Sequence, residues 1–154
     1  IAMLSGKKMA QVSERRESGY KRALEKHGFR VREEWIVDCQ FDQSTAMQKA
    51  MELKHRYPGI DAFFCASDGI AIGAIDGMMQ LGMQVPQDVA VAGFDDFTVS
   101  KYIHGGITSV KQYPYEMGVA CANTVVSMID GNRVPDWIPM EYKLMKRTST
   151  KAKL

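Results

Sequence analysis

Short apolar runs alternate with longer amphipathic ones along almost the whole chain. IAMLSG (1–6), EEWIVDC (33–39), IDAFFCAS (60–67), QDVAVAGFDD (87–96) and ITSVKQ (107–112) read as five strands. Between them, SERRESGYKRALEKHGF (13–29) and STAMQKAMELKHRYPG (44–59) repeat apolar residues at helical spacing. Tyr20, Ala23, Leu24 and His27 mark one face of the first; Met47, Ala50, Met51 and Lys54 mark one face of the second. Ser13, Ser44 and Ser67 stand where N-caps are expected, and Gly28 and Pro58 where helices stop. A third helix runs from Ser67 to about Gly82, and YEMGVACANTVVSMIDG (115–131) is a fourth, with Met117, Ala120, Cys121, Thr124 and Met128 on one side. The tail WIPMEYKLMKRTST (137–150) is strand-like. Strands separated by helices of ten to sixteen residues predict an α/β fold, a parallel sheet with helices on both faces. In such sheets ligands bind beyond the C-terminal strand ends, which here are LSG, DCQF, CASD, GFDD and VKQY.

Several function classes fall away. Net charge is only +2, so the overall balance carries no nucleic-acid footprint. No run approaches the roughly 18 apolar residues of a membrane span. Lysines follow rather than precede the first apolar run, the reverse of a signal peptide. A chain that opens on Ile1 and directly on a strand suggests a fragment of a longer protein. Cys39, Cys65 and Cys121 are odd in number and lack a CxxC pair, which fits reduced thiols better than a disulfide or zinc framework. His27, His55 and His104 lack metal-ligand spacing, and no serine lies in a nucleophile elbow. The expectation is therefore no metal, no cofactor and no enzyme.

Gly69, Gly73 and Gly77 are spaced by four in the third helix and share one face. They match neither GxxxxGK[ST] nor GxGxxG. Each costs roughly 1 kcal/mol against alanine in a helix interior, so the stripe implies close packing on a sheet or another helix. Asp95 and Asp96 at a strand exit point to opposite sides and do not form a catalytic dyad. One of them caps the next helix while the other meets solvent, or one accepts hydrogen bonds from ligand hydroxyls. Arg15 and Arg16 begin a helix, where the dipole favours acids. They are either a solvated face or a fork for hydroxyls or a carboxylate. Phe41 in DCQFDQ is either a lid on the core or a stacking plate for a ring.

The run CASDGIAIGAIDGMMQLGMQVPQDVAVAGFDDF, followed by ITSVKQ, resembles the lactose-repressor/galactose-repressor family of bacterial transcription regulators. The matching signatures are Ser67-Asp68, Ala71-Ile72-Gly73, Gly82 to Asp96 and Ile107 to Gln112; RESGYKRAL from Arg16 and KRTST near the end add to them. HGGITS stands where the family shows PPLTT.

The resemblance implies a periplasmic-binding-protein-like effector core of two lobes. It places residues 1–112 in the C-terminal lobe, a helix at 113–134 in the N-terminal lobe, and 135–154 in the return, with the DNA-binding domain absent from this chain. It implies effector contacts from Arg16, Phe41, Ser67, Asp95 and Gln112. Arg16 and Asp95 would hold hydroxyls of a sugar or related small molecule, Phe41 would stack on its ring, and Ser67 and Gln112 would add hydrogen bonds. It further implies a cytoplasmic homodimer through C-lobe helices, with Ile72, Gly73, Tyr102 and Ile103 as the candidate contact, and operator affinity changed allosterically by the effector. A periplasmic sugar-binding protein of a transport system is the rival reading.

Overall fold

The computed structural model describes residues 1–150; the last four residues of the predicted return lie outside them. One sheet of six strands has the order β2-β1-β3-β4-β5-β6. Its strands are β1 (Ala2–Ser5), β2 (Ile36–Asp38), β3 (Ala62–Cys65), β4 (Ala90–Asp95), β5 (Thr108–Gln112) and β6 (Tyr142–Met145). The first five are parallel, as the alternation predicts; β6 returns antiparallel beside β5, pairing Leu144 with Val110. The helices are α1 (Gln11–Lys26), α2 (Gln43–Arg56), α3 (Asp68–Gln80) and α4 (Pro114–Ile129). The chain steps from β1 outward to β2, then back across β1 to β3 and on to β4. Right-handed crossovers therefore put α1 on one face and α2 with α3 on the other. Central β1 is buried along its whole length, as a strand covered on both faces should be. Met3, Leu4, Phe63, Ile70, Ile75, Met78 and Val91 form the heart of the core.

The glycine stripe packs within the chain. A Cβ on Gly73 would lie 2.1 Å from the Gln43 carbonyl oxygen, and one on Gly77 2.8 Å from that of Met47. So α3 rests on the backbone of α2, opposite Ala46 and Ala50, which are fully buried. Gly69, by contrast, has only the Ser67 hydroxyl nearby, at 3.8 Å. Of the four residues expected at a dimer contact, Gly73 is buried against α2 and Ile72 is 8 % exposed. Tyr102 is 78 % exposed and Ile103 half-buried.

Helix starts follow the strongest local acceptor. Ser67 caps α3 as expected, accepting the Ile70 N–H at 3.3 Å. Ser44 does not cap α2: Asp42, two residues earlier, accepts the Thr45 N–H at 2.7 Å together with both neighbouring hydroxyls. Those donors, the Ser44 hydroxyl first, pull its carboxyl down to about 2, and an ionised acceptor outcompetes a hydroxyl. Ser13 does not cap α1 either. The helix starts two residues sooner, at Gln11, after a left-handed Met9, and Ser13 is enclosed in the first turn with its hydroxyl unpartnered. EEWIVDC divides into a 3-10 turn at Glu33–Trp35 and the short β2. In α4 no residue is buried; Tyr115, Val125, Val126, Met128 and Ile129 all stand exposed.

Asp68, the first residue of α3, is fully buried. Its Oδ2 accepts the Phe97 N–H at 2.8 Å and the Ser100 hydroxyl at 2.6 Å, and its Oδ1 accepts the Ser109 hydroxyl at 2.6 Å. A Cβ on Gly93 would sit 2.2 Å from Oδ1, so only glycine in β4 leaves room for this carboxylate. Burial raises the Asp68 pKa, and the three donors pull the other way.

Two substitutions on α3 should separate packing from helix propensity. Gly73→Ala forces the helices apart and is expected to destabilise the fold by about 2 kcal/mol. Gly69→Ala meets only the Ser67 hydroxyl, at ordinary contact distance, and should stabilise by up to about 0.5 kcal/mol, with urea unfolding as the measurement. Asp68→Ala leaves a backbone N–H and two hydroxyls without their acceptor and should cost about 3 kcal/mol. Asp68→Asn keeps one acceptor and should cost distinctly less in the same assay.

Candidate functional site

The C-terminal edge of the sheet carries unusual backbone. Five non-glycine residues there have positive φ: Met9 after β1, Gln40 and Phe41 after β2, and Asp95 and Asp96 at the end of β4. Such conformations cost of order 1–3 kcal/mol each and persist only where neighbours hold them. At Asp95 and Asp96 the neighbours are identifiable. Arg16, reaching across from α1, donates from Nη2 to Asp95 Oδ1 at 2.9 Å and from Nη1 to the Ala66 carbonyl. Gln112, the last residue of β5, donates from Nε2 to the same Oδ1 at 2.5 Å. The Arg16 guanidinium also lies over the Phe94 ring, 4.0 Å from its centroid.

Three strand exits, β3, β4 and β5, thus converge on the Arg16–Asp95 pair. Among the described residues only Oδ1 of Asp95 is engaged, so Oδ2 remains an acceptor. Side-chain exposure is 11 % for Arg16 and 22 % for Asp95, enough to present polar edges while keeping the pair largely out of water. An acceptor oxygen, the remaining guanidinium donors and the amide oxygen of Gln112 make a patch of alternating polarity. That pattern suits hydroxyl groups on neighbouring carbons, each of which is both donor and acceptor. An open groove of about 720 Å³ runs from this patch along α1, lined by Arg16, Gln112, Tyr20, Phe64 and Phe94.

The other two expected contacts, Phe41 and Ser67, lie on the same edge. Phe41 packs its ring over Gly6, where a Cβ would come within 2.0 Å of the ring, and stays 38 % exposed. It stands apart from the Arg16 group, nearer the exits of β1 and β2. Ser67 is 6 % exposed with its oxygen committed to the α3 cap. Of the two arginines, Arg15 is exposed and Arg16 is enclosed. Neither aspartate of GFDD caps a helix. Asp96 turns inward, 2 % exposed, to Arg147 at 2.6 Å. Sequence reasoning missed Arg147 as a partner, although KRTST stood out as a signature.

Of the three free cysteines, Cys39 and Cys65 are buried and Cys121 is exposed. Cys65 is enclosed, with its thiol pKa well raised by burial, and burial pushes Cys39 up to about 12. No three His, Cys, Asp or Glu side chains cluster as metal ligands among the described residues. No helix among them is long and apolar enough to cross a membrane.

The periplasmic binding protein-like domain matches residues 1–150. The chain is 31 % identical over 153 residues to the HTH-type transcriptional repressor PurR of Yersinia pestis, covering 97 % of this chain and 44 % of the relative. It is 30 % identical over 129 residues to the ribose operon repressor of Haemophilus influenzae, covering 84 % and 39 %. A transcriptional regulator CelR–cellobiose complex superposes with a TM-score of 0.90 at 33 % identity, over 96 % of this chain and 46 % of that one. The lac repressor dimer bound to operator shares the fold with a TM-score of 0.93 at 22 % identity, over 98 % and 45 %. The chain spans less than half the length of these relatives, all of them regulators, and the transport reading gains no support from them. The chain belongs to the periplasmic binding protein-like domain family.

Proposed function

We propose that this chain is the effector-binding part of a DNA-binding transcription regulator, and that it is not an enzyme. The convergence of Arg16 and Gln112 on Asp95 carries the reading. Three side chains from distant parts of the sequence meet at the strand exits of a fold whose ligands bind there. The effector is a sugar or a similar hydroxyl-rich molecule. Arg16, Asp95 and Gln112 hold its hydroxyls and Phe41 stacks on a ring face. Ser67, whose oxygen is occupied as a cap, keeps one hydrogen to donate at the floor.

Residues 1–112 form one lobe, the helix within 113–134 belongs to a second lobe, and 135–154 return to the first. The absence of any buried residue in α4 supports that division, because an apolar helix stands exposed only when its packing partner lies elsewhere. Operator contact then belongs to a part of the protein outside these residues. Effector closing the lobes shifts the population of one lobe arrangement, and that shift changes operator affinity. The protein works in the cytoplasm as a homodimer. Tyr102 and Ile103 supply part of the contact.

A thermal-shift screen of monosaccharides and disaccharides, D-ribose and cellobiose among them, is expected to find a sugar that raises Tm. Titration calorimetry with that sugar should then show a loss of about 30- to 100-fold in affinity for Arg16→Ala and for Asp95→Ala, the worth of a charge-assisted hydrogen bond. Undiminished affinity in both variants sinks the assignment. In sedimentation at micromolar concentration the protein should run as a dimer and its Tyr102→Asp variant as a monomer; a monomeric wild type refutes the dimer.

A further inference from the structure

We propose that Arg147 is the positioning residue of the effector patch: by holding Asp96 it fixes the turn that aims Asp95 at Arg16 and Gln112. The inference rests on the effector reading of Asp95 given above and adds to it a residue that touches no effector.

Arg147 follows β6 and lies 51 residues from Asp96 in sequence. Its Nη2 donates to Asp96 Oδ1 at 2.6 Å and its Nη1 to the Ile107 carbonyl at 2.7 Å. Its own N–H donates to Thr108 Oγ1 at 2.8 Å, and its carbonyl accepts from that hydroxyl at 3.1 Å. Arg147 is thus anchored at four points, two through its guanidinium and two through its backbone. The pair is enclosed, with side-chain exposures of 14 % and 2 %. Asp96 is tied at its backbone as well, donating its N–H to Ser109 Oγ at 3.0 Å.

What these bonds hold is a conformation an aspartate does not keep unaided. Asp95 has φ of 96° and Asp96 φ of 54°. An L-residue in the left-handed region pays roughly 1–2 kcal/mol, so two in succession need external restraint. Arg147 supplies it through a buried charge pair. Removing the guanidinium leaves the Asp96 carboxylate unpaired in an enclosed site, which is strongly unfavourable, so the turn reopens toward water. Asp95 is the adjoining residue, and its bond to Arg16 moves with that turn.

The fold makes room for this arginine. Gly106 has φ of 103°, and a Cβ there would lie 2.9 Å from Arg147 Cδ. The HGG that departs from the family's proline-rich run therefore accommodates the Arg147 stem. Ser149 shows that the segment after β6 also has a separate structural role. Its hydroxyl donates to the Val91 carbonyl at 2.6 Å and accepts the Thr108 N–H at 2.8 Å, joining β4 to β5 without touching Asp95 or Asp96.

The test reads Arg16 directly and needs no effector. In ¹⁵N-labelled protein, the guanidinium N–H signals of Arg16, assigned by their loss in Arg16→Lys, should be slowed in exchange by the Asp95 and Ala66 bonds. Arg147→Met is expected to speed that exchange at least tenfold, and Arg147→Lys to restore part of the protection. Ser149→Ala should lower Tm and leave the Arg16 signals unchanged. Should Arg147→Met not fold, Asp96→Asn removes the charge pair while keeping its shape and should loosen Arg16 in the same way. Arg16 exchange unaltered in the Arg147 and Asp96 variants overturns the proposal, as does equal loosening in Ser149→Ala. A failed sugar titration alongside loosened Arg16 would overturn the effector reading and leave the positioning of Asp95 standing.

Discussion

A single buried carboxylate organises the working edge of this molecule. Asp68 begins α3, where the helix dipole favours negative charge, and lies fully enclosed beneath the loop that follows β4. Its three donors come from Phe97, Ser100 and Ser109, so α3, the loop at 97–100 and β5 are tied to one point. Ser109 in turn receives the Asp96 N–H. The left-handed turn at Asp95 and Asp96 is therefore built on a network whose innermost member never meets a ligand. A buried charge is tolerable only when its hydrogen-bonding capacity is filled. Losing one donor here would disturb every element that shares the carboxylate. That gives the rim its rigidity and links the position of Asp95 to the packing of α3.

The packing of α3 depends on the glycine stripe on its other side. Gly73 and Gly77 let α3 settle on the α2 backbone, while the side of α3 bearing Asp68 and Ala71 meets Gly93 in β4. A side chain at Gly73 would press α3 toward the sheet, where Gly93 already has no spare room. Close approach on both sides is one constraint rather than two. It explains why a helix with three glycines persists in spite of their cost in propensity.

Much of this was legible in the sequence because periodicity and turn chemistry are local. The five parallel strands, the four helices and the Ser67 cap follow from residues within a few positions of each other. Arg16, Asp95 and Gln112 were marked by standing near strand exits and by the family resemblance, and the structure brings those three together. What was not legible depends on contacts between distant residues. The cap of α2 is the exception, a contest between two local acceptors that Asp42 wins by reaching the Thr45 N–H. Nothing local says that Gly73 faces α2 rather than a second subunit. The Arg147–Asp96 pair spans 51 residues and leaves no periodic trace, so KRTST stood out as a string without a role.

The two aspartates of GFDD show how adjacent identical residues acquire different work. On a regular strand they would point to opposite sides, one inward and one to solvent. The left-handed turn changes that outcome, since both become enclosed and each finds its own arginine. Arg16 comes from α1, at the start of the chain, and Arg147 from the segment after β6, at its end. The turn between them is held from both ends of the sequence. A rim built this way responds to displacement of either end, because neither aspartate can keep its geometry once its arginine moves. Under the two-lobe reading, the segment bearing Arg147 is the one that returns from the second lobe. A shift in lobe arrangement would then reach Asp95 through a buried charge pair, without requiring the sheet itself to deform.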